Sequence, residues 1–278
     1  MQINILLYFL YKFIPKPIVV FIGKNRTIKP IRDIVLRLGP SISRVIEGSV
    51  AFRLKDKLIA INFTAPPATL VKAQKKGIEK GIINKVYEYC SNKDEGIIID
   101  VGANYGFLSI IWSLAMPNHE IHAFEVHPEI YKTLISNKQK NNISNLYINL
   151  NAISDKEELL NFHFHSKTAI LNKIINNDLG SDINAKSIDM LFMKIDKKVL
   201  AIKIDTDGND YNCLLGATNI IDKWKPFIIA ELNEDLRILD FLKNKGYLLF
   251  DMSGNFIDIE LLRGSTSSFA NIYAVTSV

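Results

Sequence analysis

The chain is poor in cysteine, free of internal repeats and low-complexity tracts, and without a long uninterrupted apolar run. Cys90 and Cys213 are its only cysteines in 278 residues. They are too few and too far apart for a disulfide framework or a zinc site, so a reduced, cytoplasmic setting is expected. With 48% hydrophobic residues and no repeats, the chain should form one large domain or a domain with an N-terminal extension. The apolar stretch over residues 1–22 is broken by Lys12, Pro15, Lys16 and Pro17. A central lysine costs about 2.5–3.5 kcal/mol on insertion against about 0.3–0.6 gained per good apolar residue. The prolines leave pieces too short to span a bilayer. No basic stretch precedes this segment and no small-residue cleavage site follows it, so secretion is not expected. It reads as an interfacial helix, or as a segment packed on the domain or a partner subunit.

Charge is unevenly spread. Residues 1–96 carry 17 Lys+Arg against 7 Asp+Glu, a net +10, and residues 97–278 carry 17 against 22, a net −5. A basic, partly helical extension over 1–96 ahead of an acidic domain over 97–278 suits an anionic partner or a solvated face. Basic residues interleaved with aromatics are lacking, which argues against nucleic acid. Peripheral contact with the inner face of a membrane is the alternative to packing on the domain or a partner subunit, and oligomeric state is left open.

Against these absences stands one rich segment, Gly96 to Phe107. Ile97–Val101 is an apolar run carrying Asp100 near its end, the pattern of a buried parallel strand. Gly102, Asn104 and Gly106 then form a tight turn, and Phe107 to Met116 becomes helical. The free N–H groups at Phe107 therefore point into a crevice at the strand's carboxyl end. Glycine spacing alone is weak, because any tight turn uses it. Asp100 repels a pyrophosphate but suits a ligand with an amino group and a sulfonium, which is S-adenosyl-L-methionine. A second short strand, Glu120–Phe124, delivers Glu125, followed by Pro128 at the first turn of a helix reaching about Asn141. Glu125 lies about 20 residues past the glycine turn, where an acid accepts hydrogen bonds from a ribose diol.

Asp100-Val101-Gly102-Ala103-Asn104-Tyr105-Gly106, then Phe124-Glu125 with Pro128, then Lys203 to Asp210 together resemble the FkbM family of S-adenosylmethionine-dependent methyltransferases, over about residues 97–231. The family usually has Glu-Pro where this chain has Glu125-Val126. Its third motif usually reads Asp-x-Glu-Gly-x-Glu, where Asp207 and Asp210 are one methylene shorter. Both changes keep the charge. The resemblance implies a doubly wound, mostly parallel α/β sheet of the Rossmann-like class I methyltransferase type, closed by an antiparallel pair of last strands. It also implies O-methylation of a hydroxyl on a sugar or glycan precursor.

The remaining elements follow by pattern. Leu146–Leu150 reads as the third strand, placing Asn151 and Ala152 beside an adenine, although Asn, Ser and Asp there also suit a plain turn. Leu160–His165 alternates, with His163 and His165 on one face. Two histidines could begin a metal site, but an exposed face is the simpler reading. Val199–Ile204 is the fourth strand and delivers Asp205. A helix follows from about Asn209 to Trp224, then strand Pro226–Ala230 presenting Glu231, helix Asp235–Lys245, and strands Tyr247–Asp251 and Ile272–Thr276. Asp205, Asp207, Asp210 and Glu231 would crowd two strand ends, which requires a compensating cation: the sulfonium, Lys203, an acceptor amine or a divalent metal. Asp205 is the first candidate for a general base, with Glu231 and Asp207 next; no metal ligand is assigned, and metal dependence is left open. Asp205-Thr206-Asp207 also spells the Asp-x-Asp of metal-dependent glycosyltransferases, but that leaves the Asp100 turn and Glu125 unexplained. A calcium loop lacks its acids. A non-catalytic binding module is the third reading, opposed by acids at all three strand ends.

Overall fold

A computed structural model describes residues 45–55, 57–164, 169–171, 181–206, 208–232, 235–260 and 271–276. The expectations for residues 1–22 fall outside these residues.

The described chain opens with an antiparallel hairpin, β1 (Ile46–Leu54) and β2 (Lys57–Ala65). Its alternate residues Val50, Phe52, Leu54, Ile59, Ile61 and Phe63 are buried. Helix α1 (Pro67–Lys76) begins with proline at its first position, where a missing N–H costs nothing. Helix α2 (Lys80–Cys90) buries Ile82, Ile83, Val86 and Cys90. These residues share one hydrophobic cluster with Ile98, Ile110, Trp112 and Leu134. The compact unit therefore runs from Val45 to Val278. The segment 45–96, read from sequence as part of a basic extension, belongs to it and contributes strands as well as helices.

From residue 97 the alternating pattern builds a doubly wound sheet. β3 (Ile97–Val101), α3 (Phe107–Ala115), β4 (Glu120–Phe124), α4 (Pro128–Lys140) and β5 (Leu146–Asn149) form its first half. A small sheet follows: β6 (Ala152–Ile153), β7 (Glu158–Phe164), β8 (Ala169–Leu171) and β9 (Ser181–Lys186), in the order β6-β9-β7-β8. His163 lies in β7 without a described side chain, and His165 is outside the described residues. The second half contains α5 (Ile188–Phe192), β10 (Val199–Ile204), α6 (Asp210–Leu215), α7 (Thr218–Trp224), β11 (Phe227–Glu231), α8 (Arg237–Asn244), β12 (Tyr247–Asp251) and β13 (Asn271–Thr276).

The seven-stranded order is β12-β13-β11-β10-β3-β4-β5. β13 pairs antiparallel with both β11 and β12, and the other pairings are parallel. This is the Rossmann-like class I methyltransferase arrangement. The winding reverses between β3 and β10, so a crevice opens beyond their carboxyl ends. Ile98 packs into one core, while Ile97, Ile99 and Val101 pack into the other. Burial on both faces explains the continuous apolar runs of β3 and β10. One expected element divides: the helix over 209–224 is two, α6 and α7. The break falls at Gly216 and Ala217, where a Cβ on Gly216 would lie 2.0 Å from the Ser154 carbonyl oxygen. That close approach requires glycine at 216, which ends α6 with its N–H donating to the Asn212 carbonyl at 2.9 Å.

Candidate active site

At the switch point lies a cavity of about 410 Å³, within the range of small-molecule sites. Its floor is the turn after β3. Gly102 has φ +75°, Asn104 φ +54° and Gly106 φ +83°, three left-handed residues in five. At Gly102 glycine is obligatory, because a Cβ there would lie 1.8 Å from the Asp205 carbonyl oxygen. The N–H groups of Gly102 and Ala103 both donate to the Phe124 carbonyl, at 3.0 and 2.9 Å. Asn104 holds its own turn, its Oδ1 accepting from Tyr105 N–H at 2.9 Å.

Glu125 clamps this turn from β4. Its Oε2 accepts from Asn104 N–H at 2.8 Å and its Oε1 from His127 N–H at 2.8 Å. Each oxygen keeps lone-pair capacity for a further donor such as a ribose hydroxyl. Burial raises the Glu125 pKa, opposed by those two N–H groups. Asn137 on α4 completes the support: its side chain bonds Thr64 N–H, Thr64 carbonyl and Tyr105 carbonyl at 2.8–2.9 Å. It thereby ties the hairpin to the glycine turn.

The electrostatic centre is Lys203. Its buried Nζ donates to the Val101 and Gly102 carbonyls at 3.1 and 2.9 Å. It also lies 3.1 Å from Asp100 Oδ1 and 3.8 Å from Asp205 Oδ2. The first contact is ionic without hydrogen-bond geometry, since Asp100 Oδ1 has no hydrogen-bond partner. Asp100 Oδ2 accepts from Ser109 Oγ. Burial works against the Lys203 charge, but Asp100, Asp205 and Glu79 outweigh it and hold its pKa above the ordinary lysine value. Lys203 is thus one compensating cation of those the sequence suggested.

The cavity wall includes Asp100, Gly102, Asn104, Phe107, Glu125, Asn151, Ala152 and Asp205. Gly106 lies beneath the turn, where a Cβ would meet Leu134 Cδ1 at 2.0 Å. Of the four carboxylates expected at two strand ends, Asp205 is in the cavity wall. Asp210 instead accepts from Thr206 and Gly208 N–H at 2.9 and 3.2 Å, closing the turn after β10. Glu231 ends β11 outside the cavity lining, and Asp207 is outside the described residues. Among the described residues there is no group of three or more His, Cys, Asp or Glu that could hold a metal. No helix there is long and apolar enough to cross a membrane. Sequence reasoning missed Phe63, Pro66, Thr69, Lys72, Ile78 and Glu79, which form the opposite wall, and Asn209, whose Nδ2 donates to the Ile153 carbonyl at 2.9 Å. Only the strong pre-proline and left-handed positions around Pro66 and Gly77 hinted at a shaped loop there.

Several solved structures are similar. A methyltransferase FkbM from Methylobacillus flagellatus is 16% identical with a TM-score of 0.45; the match covers 66% of this chain and 44% of that one, less than half its length. A SAM-dependent O-methyltransferase from Thermotoga maritima is 12% identical, covering 82% and 77% with a TM-score of 0.41. TrmK of M. capricolum in complex with S-adenosyl-homocysteine is 14% identical, covering 70% and 66% with a TM-score of 0.37. The search of curated proteins found no match. The sequence itself matches the Methyltransferase FkbM domain over residues 100–249, more than half of the chain and all three strand ends of the cavity, and the protein belongs to that methyltransferase family.

Proposed function

We propose that this protein is an S-adenosylmethionine-dependent O-methyltransferase acting on a hydroxyl of a sugar or glycan precursor. The observation that carries the donor is the Glu125 clamp on the glycine turn. It sets a carboxylate with unused lone pairs at the end of β4, facing the same cavity as Asp100 and Gly102. Glu125 would hold the ribose, Gly102 and Asn104 the donor's close approach, Asp100 the methionine end, and Asn151 with Ala152 the adenine edge. Bound S-adenosylmethionine supplies an electrophilic methyl group; the chain supplies orientation, exclusion of water and a carboxylate for the acceptor's proton. Asp205 is the strand-end carboxylate in the wall. The acceptor class rests on the family resemblance.

The nucleotide-sugar alternative would need Asp205 and Asp207 to hold a metal, and membership of a methyltransferase family favours methyl transfer. The basic N-terminus is proposed to reach an anionic membrane surface, with loss of vesicle flotation at high salt as its check. Titration calorimetry with S-adenosylhomocysteine tests the donor reading. Binding is expected in the wild type and should weaken in Glu125→Ala; no binding at all would end the proposal.

A further inference from the structure

Glu79 stands in the cavity wall in a conformation that local rules do not explain. It precedes α2 with φ 47° and ψ 44°, the left-handed region that glycine enters freely and other residues enter at a cost. Helix-start positions favour side chains that cap the first amides, yet the Glu79 carboxylate makes no cap hydrogen bond. It lines the cavity instead. There it is acted on by Lys203, Asp205 and Asp100 from the β3–β10 side and by Lys72 from α1. Burial raises its pKa, with Asp205 and Asp100 adding to the rise and Lys203 and Lys72 opposing it. Asp100 and Asp205 already share the Lys203 ammonium, whereas Glu79 has no cation within ion-pair distance among the described residues. A carboxylate that leaves its helix unserved, in a strained backbone, and faces a reaction cavity is placed for chemistry.

We propose that Glu79 is a catalytic residue of this site, the base that takes the acceptor hydroxyl's proton while Asp205 orients that hydroxyl. This rests on the O-methyltransferase reading above. As the acceptor oxygen bonds to the methyl carbon, the carbon–sulfur bond breaks and its electron pair stays on sulfur. The hydroxyl proton passes to a Glu79 carboxylate oxygen and leaves from there to solvent.

The test compares two donor analogues by calorimetry between pH 5 and 8. S-adenosylhomocysteine has a neutral thioether; sinefungin carries an amine where the donor has its sulfonium. Wild-type protein should prefer sinefungin increasingly as pH rises and Glu79 ionises. Glu79→Gln should keep S-adenosylhomocysteine affinity but lose about tenfold of that preference, the order of effect of one charge across a cavity at an effective dielectric near 20. Its pH dependence should flatten, and Glu79→Asp should retain part of it. Glu79→Gly should melt no lower than wild type, because glycine accepts the left-handed backbone without strain. An unchanged sinefungin preference in Glu79→Gln overturns the proposal while leaving the donor reading intact. Parallel loss of both ligands in that variant would make Glu79 structural and overturn it too. Failure of wild-type protein to bind S-adenosylhomocysteine removes the donor reading itself, and this proposal with it.

Discussion

Replacing Gly102 by alanine attacks the turn where its geometry is least forgiving. The residue sits at φ +75°, and a Cβ there would lie 1.8 Å from the Asp205 carbonyl oxygen. Two costs combine. Left-handed backbone costs a non-glycine residue about 1–2 kcal/mol. The contact is with backbone, which cannot swing away, so the ends of β3 and β10 must separate, and overpacking of this kind costs about 1–3 kcal/mol. The total of about 2–5 kcal/mol corresponds to a melting-point loss of about 4–20 °C at about 2–4 °C per kcal/mol for a chain of this size. Gly246→Ala is the matched control, with φ +83° and nothing within 4 Å of the added Cβ. It should show the conformational cost alone, about 2–8 °C. Thermal and urea unfolding followed by circular dichroism would give both values, and calorimetry with S-adenosylhomocysteine would follow the site. Gly102→Ala should lose donor affinity and Gly246→Ala should keep it. Equal melting points in the two variants would refute the close-approach argument.

Three further outcomes are expected. Lys203→Met should cost about 3–5 kcal/mol in denaturant unfolding, because it leaves Asp100 buried without its cation; a neutral result would mean that Asp100 is compensated elsewhere. Burial raises the Glu125 pKa above its ordinary 4.5, so the folded state holds that proton more tightly than the unfolded chain. Its contribution to stability is therefore complete below about pH 4.5 and is lost as pH rises through the raised folded value, a slope that Glu125→Gln should flatten in melting-point measurements. Asp205→Asn should retain S-adenosylhomocysteine binding while turnover on the acceptor falls by about 10²-fold, the cost of a misoriented hydroxyl; a matching loss on EDTA treatment, restored by Mg²⁺, would instead assign Asp205 to a metal.

What the sequence made legible is what depends on near neighbours. β3 and β10 read as buried strands because both faces are covered, and the turn residues Gly102 and Gly106 announce their left-handed backbone by being glycine. Glu125 was legible because an acid ending the second strand serves one crevice. Asp210 stands in the turn after β10, where its carboxylate satisfies the nearby amides of Thr206 and Gly208. The hairpin β1–β2 alternates plainly, but the basic charge of residues 1–96 obscures that pattern in the sequence. Glu79, Phe63 and Asn137 were not legible, since their roles arise from contacts between distant parts of the chain. Asn137 reaches Thr64 across 73 residues, and no window of sequence contains both.

The distribution of the cavity wall carries a consequence for specificity. The family match begins at residue 100, and the residues assigned to the donor all lie within it. The wall residues Phe63 to Glu79 come from β2, from α1 and from the segments on either side of α1. These are bound to the sheet by a shared core and by Asn137, which reads the glycine turn on one side and β2 on the other. A shift of the hairpin therefore moves the wall relative to the turn and cannot be absorbed by a loop alone. In the proposed reaction the donor half can stay constant while this preceding segment changes the acceptor, because the residues assigned to the donor lie within 100–152 and the preceding segment supplies other parts of the cavity wall. Exchanging residues 45–96 as a block, with Asn137 retained, is then the substitution expected to alter acceptor choice while leaving donor affinity in place.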